Sequence, residues 1–253
     1  MNTEEQLIKS TIRISVDEIN AVGTCFYFQY QNICGKDIDV LVTNKHIQEA
    51  GTDFTFYFGT TAERKAQAVA FHTNPDEWLV HDSADLAIYP IHYIYDALKD
   101  DDIVLSVHPI TQSCLPTDDD INQMSCFEDI LTIGYPDGKF DVYNNIPISL
   151  HGITATPYSV DVLNKPEFMI DASIQHGSSG SPVFAKYRSD KPLLLGIFCR
   201  VYTIEFTSDI HFSGLTIEKA KFKIPSGTGY VIKSRCLLDF IPNLEAYVKN
   251  QQR

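Results

Sequence analysis

No apolar run in this sequence approaches the length of a membrane-spanning helix. The first stretch, Met1 to Ser10, is polar and charged through Glu4, Glu5 and Lys9, so it carries no visible secretory leader. A cytoplasmic location is the expectation that follows. Positive charge is scarce: 20 basic residues stand against 33 acidic ones, a net charge of −13. A duplex-binding protein needs a cationic face to displace counterions, so a nucleic-acid partner is not expected. Nor is a membrane partner. Cysteine is present six times, as Cys25, Cys34, Cys114, Cys126, Cys199 and Cys236, but in no C-x-x-C or Cys/His zinc spacing. Reduced, mostly buried thiols are expected, Cys199 among them. The acidic runs Asp100–Asp102 and Asp118–Asp120 lack the Gly-turned loop that folds carboxylates around one ion, and read as solvated loops. No metal and no cofactor is therefore expected.

What the chain does contain is short strands. Gly23–Tyr30, Asp39–Thr43, Phe54–Phe58, Gln67–Phe71 and Leu86–Ile91 are rich in aromatic and β-branched residues. A second set follows: Ile130–Tyr135, Ile146–Ile153, Glu167–Asp171, Pro182–Ala185, Leu193–Val201, Lys221–Ile224 and Gly229–Ile232. Many short strands separated by turn residues such as Asn32, Gly35, Asn74-Pro75-Asp76 and Gly227 indicate a barrel or sandwich. Helix patterns are confined to the ends, at Glu4–Ile8 and Leu237–Asn250, with Pro242 marking a later start of the second. The acidic region from Asp96 to Asp129 is poor in strand pattern and reads as the crossing between two halves.

Three segments carry chemistry. In Gly177-Ser178-Ser179-Gly180-Ser181-Pro182 a serine sits in a tight glycine turn. Such a turn exposes the hydroxyl and lets the N–H groups of Gly177 and Ser179 aim at a developing oxyanion. Leu41-Val42-Thr43-Asn44-Lys45-His46 ends an apolar strand in a polar turn that presents a histidine. Asp85-Leu86-Ala87-Ile88 places a carboxylate just before another strand. Each is commonplace alone. Together they supply a nucleophile, a base and an orienting acid, in the order His, Asp, Ser with successive members 39 and 94 positions apart. An α/β-hydrolase needs Gly-x-Ser-x-Gly and a histidine last. Here Ser181 replaces the second glycine, and His46 comes first.

These segments resemble the trypsin-like, chymotrypsin-fold peptidases, above all the HtrA/Deg branch. Gly23-Thr24-Cys25-Phe26 is similar to the family's Gly-Ser-Gly-Phe strand, and Thr43-Asn44-Lys45-His46 to its Thr-x-x-His. Asp85-Leu86-Ala87-Ile88 resembles Asp-Leu-Ala-Val, and Thr132-Ile133-Gly134-Tyr135-Pro136 resembles Ala-Ile-Gly-x-Pro. Asp171 to Pro182 is similar to the family's nucleophile segment, and Leu195-Gly196-Ile197 and Gly227-Thr228-Gly229-Tyr230 complete the set. The resemblance runs in patches from Val22 to Ser234. It implies an all-β fold of two six-stranded antiparallel barrels, at about 11–95 and 104–236, with a short N-terminal helix and a C-terminal helix at 237–250. The whole chain, 1–253, is then one peptidase domain with no room for a PDZ domain.

The resemblance also implies a serine endopeptidase of narrow specificity acting on a protein or peptide, with His46, Asp85 and Ser179 as catalytic triad. The alternative is a silent pseudoprotease that keeps the fold as a binding module. No Ile-Val-Gly-Gly start is present, and Ser178 stands where zymogens carry an aspartate, so activation by a freed N-terminus is not expected. An uncontrolled cytosolic protease is harmful, which points to a regulatory protein partner. The primary pocket is expected to have Ser173 at its base, with Phe198, Cys199, Arg200, Val201, Gly227 and Gly229 as walls and His176 at the rim. No carboxylate at Ser173 disfavours cleavage after Lys or Arg. A neutral pocket for small or medium residues is expected, with an acidic preference through Arg200 or His176 as runner-up.

Overall fold

The computed structural model describes residues 3–59, 66–92, 94, 105–136, 140–141, 143–174, 177–185, 192–213 and 215–251. Among these, no helix is long and apolar enough to cross a membrane.

The N-terminal half is one antiparallel sheet. Its strands are β1 (Thr11–Val16), β2 (Ala21–Ile33), β3 (Lys36–Thr43), β4 (Asp53–Gly59), β5 (Ala66–His72), β6 (Leu79–Val80) and β7 (Ala87–Pro90). They run in the order β5-β4-β1-β2-β3-β7-β6, and a two-residue strand β8 (Ile110–Thr111) pairs in parallel with β2. Eight strands thus stand where six were expected, the short β6 and β8 being the additions. The C-terminal half is a closed six-stranded barrel. It is built from β9 (Asp129–Gly134), β10 (Ile148–Thr154), β11 (Glu167–Ala172), β12 (Pro182–Ala185), β13 (Leu193–Phe212) and β14 (Leu215–Lys233).

The period-2 alternation of strands explains how the halves join. In β2, Cys25 and Tyr27 point into the core of the N-terminal sheet, packed with Phe54, Phe56, Trp78 and Tyr89. Phe26, Phe28 and Tyr30 point the other way, into a core shared with Ile133, Phe184, Ile197 and Ile232 of the barrel. Leu237, Phe240, Leu244 and Val248 of the C-terminal segment close that shared core. Tyr30 donates its hydroxyl to the Leu237 carbonyl at 2.8 Å, so its one polar atom is satisfied where the ring is wholly buried.

Several elements differ from the sequence reading. The N-terminal helix spans Thr3–Ser10, longer than the periodicity implied. The C-terminal segment is a 3₁₀ stretch, Ser234–Phe240, followed by an α-helix, Ile241–Gln251. Pro242 lies in the first turn of that helix, where its missing N–H costs nothing. Asp118–Asp120 is not a loop but the first turn of a helix, Asp118–Gln123. Thr117 caps it by accepting from the Asp120 N–H, and Asp120 returns the bond to the Thr117 N–H at 2.8 Å. Acid at a helix N-terminus also complements the helix dipole. The run Asp100–Asp102 lies outside the described residues.

Candidate active site

β3 ends at Thr43, and the chain turns at once into a short helix, Lys45–Gln48, that carries His46. Asn44 at the turn is fully buried and donates its side-chain amide to the Asp85 carbonyl at 2.9 Å. Asp85 lies in the loop before β7, which is itself paired with β3. The two strands therefore deliver His46 and Asp85 side by side. The carboxylate takes two bonds from one residue: Oδ1 accepts from the His46 backbone N–H at 2.9 Å, and Oδ2 lies 2.7 Å from His46 Nδ1. With a carboxylate as the acceptor, Nδ1 carries the proton and Nε2 keeps its lone pair. The Asp85 side chain is 32% exposed and that of His46 47%, so both groups of the pair are open to solvent.

A histidine upstream in the same loop braces it. His81 Nδ1 accepts from the Ser83 and Ala84 N–H groups at 3.2 and 2.9 Å, and the His81 N–H donates to the Leu86 carbonyl at 2.9 Å. Because Nδ1 is an acceptor, Nε2 carries the proton and donates to Asp239 Oδ2 at 3.1 Å. His81, Cys236 and Asp239 bring their donor atoms within 4.8 Å of one another, but that fixed tautomer leaves Nε2 without a lone pair for an ion. The cluster instead ties the Asp85 loop to the C-terminal segment.

Ser179 comes from the other half. Its loop is held against β2 by Thr24, which has no exposed surface. The Thr24 N–H donates to the Ser179 carbonyl at 2.9 Å. Its hydroxyl donates to the Gly177 carbonyl and accepts from the Tyr135 N–H, both at 3.1 Å. Its carbonyl accepts from Thr43 Oγ1 at 2.8 Å, which links this lattice to the strand that leads into the His46 helix. Gly177 and Gly180 have φ of +84° and +86°. A Cβ on Gly180 would stand 1.9 Å from the Thr24 carbonyl oxygen. Gly180→Ala is therefore expected to lower stability by at least about 2 kcal/mol, from backbone strain plus displacement of Thr24. Urea denaturation measures it, and an unchanged midpoint would show that the two halves do not meet there.

His46, Asp85 and Ser179 line one cavity of about 400 Å³ together with Phe198, Cys199, Arg200, Val201 and Thr203. Ser179 Oγ is hydrogen-bonded to the Cys199 carbonyl at 3.4 Å rather than to His46. Cys199 itself is buried and free, and burial pushes its thiol up to about 12, so it stays protonated. Arg200 already has an acidic partner. Its guanidinium forms a two-pronged pair with the buried Glu167, 2.9 Å on the first prong, and lies 4.0 Å over the Tyr230 ring. That carboxylate raises the Arg200 pKa further.

The pocket walls inferred from the resemblance are only partly assembled. Phe198 lines the cavity, and its ring leans on Gly229 so closely that a Cβ there would meet it at 2.3 Å. Gly229 therefore serves to admit the ring. Ser173 is exposed and does not line the cavity, nor does Gly227. His176 lies outside the described residues. Thr203, Thr24, Asn44 and His81 were not singled out from sequence. Thr24 and Asn44 had a local signal, their places in the Gly23–Phe26 strand and the Thr43–His46 turn.

The chain belongs to the family of trypsin-like peptidase domains, whose family model matches residues 23–189. A comparison with curated protein sequences finds no match. Among solved structures, the chain is similar to the inactive form of the Rv3671c protease of M. tuberculosis H37Rv, with 14% identity and a TM-score of 0.51. That match covers 95% of this chain and 91% of the other. Deg5 is similar at 14% identity and a TM-score of 0.53, over 96% and 92% of the two chains. An HtrA-type protease, AlgW with a tripeptide, gives 14% and 0.55, over 96% and 62%. Identities this low carry the fold, and the fold is chymotrypsin-like.

Proposed function

We propose that this chain is a serine endopeptidase that hydrolyses peptide bonds through an acyl-enzyme. The observation that carries the reading is the His46–Asp85 pair at 2.7 Å, facing the same cavity as Ser179. Ser179 Oγ attacks the scissile carbonyl carbon after rotating from the Cys199 carbonyl toward His46. Its proton passes to His46 Nε2, and the imidazolium is held by Asp85. The N–H groups of Gly177 and Ser179 receive the oxyanion. His46 then protonates the leaving amine, leaving an ester on Ser179. Water, deprotonated by His46, repeats the attack and frees the acid. None of these steps calls for a metal or cofactor.

Residue preference follows from the cavity walls. Among the described residues that line the cavity, the carboxylate, Asp85, is paired with His46, and the guanidinium, Arg200, is paired with Glu167. The Phe198 ring on Gly229 makes the pocket shallow and apolar. Cleavage after small or medium uncharged residues is expected from peptide-library profiling with Ser179→Ala as control. Dominant cleavage after Lys, Arg, Glu or Asp would overturn the pocket assignment. The silent-scaffold reading is favoured by one feature, the Ser179 hydroxyl turned to Cys199. Hydrogen bonds between catalytic groups commonly tighten only when substrate arrives.

A further inference from the structure

β13 outruns its barrel. β12 pairs with it only from Leu193 to Ile197, whereas β14 accompanies it to Phe212. β11 in turn leaves β14 at the Asp171↔Thr228 pair. From Tyr202 outward, the described residues form a two-stranded ribbon and nothing else. Such a ribbon is marginal in water by itself.

Its two faces differ. One carries Ile204 opposite Ile224 and Phe206 opposite Phe222, the two rings stacked at 4.9 Å, with Tyr202 at the base. Tyr202, Ile204, Phe206 and Ile224 are 46%, 54%, 43% and 51% exposed. The other face carries Thr203, Thr207, Lys221 and a Glu205–Lys223 ion pair at 2.8 Å. Exposed apolar side chains in a row beside an unpaired strand edge form an adhesive surface that soluble proteins usually avoid. This edge opens into the reactive cavity: Val201 and Thr203 line it together with Ser179 and His46.

We infer that Tyr202–Ser226 is a peptide-binding arm, on which the substrate adds as a third strand along β13. The inference deepens the endopeptidase reading and takes the position of the scissile bond from it. β13 runs from the cavity toward the tip of the arm, so a peptide pairing antiparallel to it, the stronger arrangement, runs toward Ser179. The residues lying on the arm are therefore those preceding the scissile bond. Tyr202 to Ser208 offers about 20 Å of edge, enough for roughly six residues. Side chains of an added strand alternate between faces. Every second residue lies beside Tyr202, Ile204 or Phe206 and is selected for apolarity, while the others face Thr203, Glu205 and Thr207.

The test is direct binding, which does not need turnover. Fluorescent peptides are titrated into Ser179→Ala protein by anisotropy. One has eight residues before the scissile position with valine at alternate sites; a second replaces the valines by serine; a third is cut back to four residues. The first is expected to bind at least about tenfold tighter than the other two, from three cross-strand contacts. That margin should disappear in an Ile204→Thr/Phe206→Thr double variant, and in a variant whose residues 204–224 are replaced by Asn-Gly. Equal binding of all three peptides overturns the inference. So does a dimer in sedimentation that the double variant dissociates, since the apolar face then belongs to a second copy. Arm-dependent binding without labelling of Ser179 by a fluorophosphonate would sustain the arm and defeat the endopeptidase reading. Labelling without arm dependence would do the reverse.

Discussion

Replacing Ser179 by alanine is expected to lower kcat on any cleavable peptide by roughly 10⁴-fold or more, with the protein folding as before. The substitution removes one oxygen. The turn that holds the residue is made by backbone groups: the Ser179 carbonyl bonded to the Thr24 N–H, and the Gly180 N–H bonded to the Phe198 carbonyl at 2.9 Å. None of these bonds involves the hydroxyl, whose partner is the Cys199 carbonyl at 3.4 Å. Stability is thus expected to change by less than about 1 kcal/mol. His46→Ala is expected to cost a similar factor, and the double variant little more, because base and nucleophile act as one unit. Stopped assays with a profiled peptide measure the turnover, and urea denaturation the fold. Full activity in both single variants would refute the assignment.

Asp85→Asn is the second large effect, and its cause lies in the two bonds that Asp85 makes. The His46 backbone N–H needs an acceptor, so the asparagine oxygen takes the place of Oδ1. Its NH₂ group then faces His46 Nδ1 where a carboxylate oxygen had been. Two donors cannot share that contact, so Nδ1 gives up its proton and becomes the acceptor. The proton moves to Nε2, the atom that must receive the one from Ser179. We expect kcat to fall by about 10³–10⁴-fold with little change in KM, because the loss lies in proton transfer and not in binding. The Nδ1 proton, which resonates far downfield when bonded to a carboxylate, should vanish from the NMR spectrum. A variant that keeps both its rate and that resonance would show that Asp85 does not orient His46.

The parts of this site legible in the sequence are those that local chemistry specifies. A serine with glycines two before and one after it, a histidine just past an apolar strand and an aspartate just before one are short-range patterns, and they point to His46, Asp85 and Ser179. The supports are not local. Thr24 holds Gly177, 153 residues away, and His81 meets Asp239, 158 residues away. Nothing near either residue announces its partner. β1 escaped notice for a related reason. Ile12, Ile14 and Val16 alternate as a strand should, but Arg13 interrupts them. Its charge is accommodated only in the fold, 3.4 Å over the Tyr57 ring and 4.5 Å from that of Phe140.

Three further differences share one physical origin, which is that local pattern does not state what lies opposite. Asp118–Asp120 read as a solvated loop because a run of acid with no Gly-turned ion-binding loop is commonly one. Placed after a capping threonine they become a favourable helix start. Lys221–Ile224 and Gly229–Ile232 read as separate strands because Pro225, Ser226 and Gly227 lie between them. Pairing with β13 carries the ladder across that break, with Gly227 at φ +86° absorbing the extra residues. Arg200 read as a possible partner for an acidic substrate, and in the fold the buried Glu167, 33 residues earlier in the chain, pairs with it.

Reaction with a fluorophosphonate, followed by peptide mapping, tests the central claim most directly. The reagent phosphonylates only a serine whose proton has a base to go to. The account predicts one covalent adduct on Ser179 in the native protein, with none in the urea-unfolded chain and none in Ser179→Ala or His46→Ala. A native protein that stays unlabelled, or an adduct on any other serine, would contradict it.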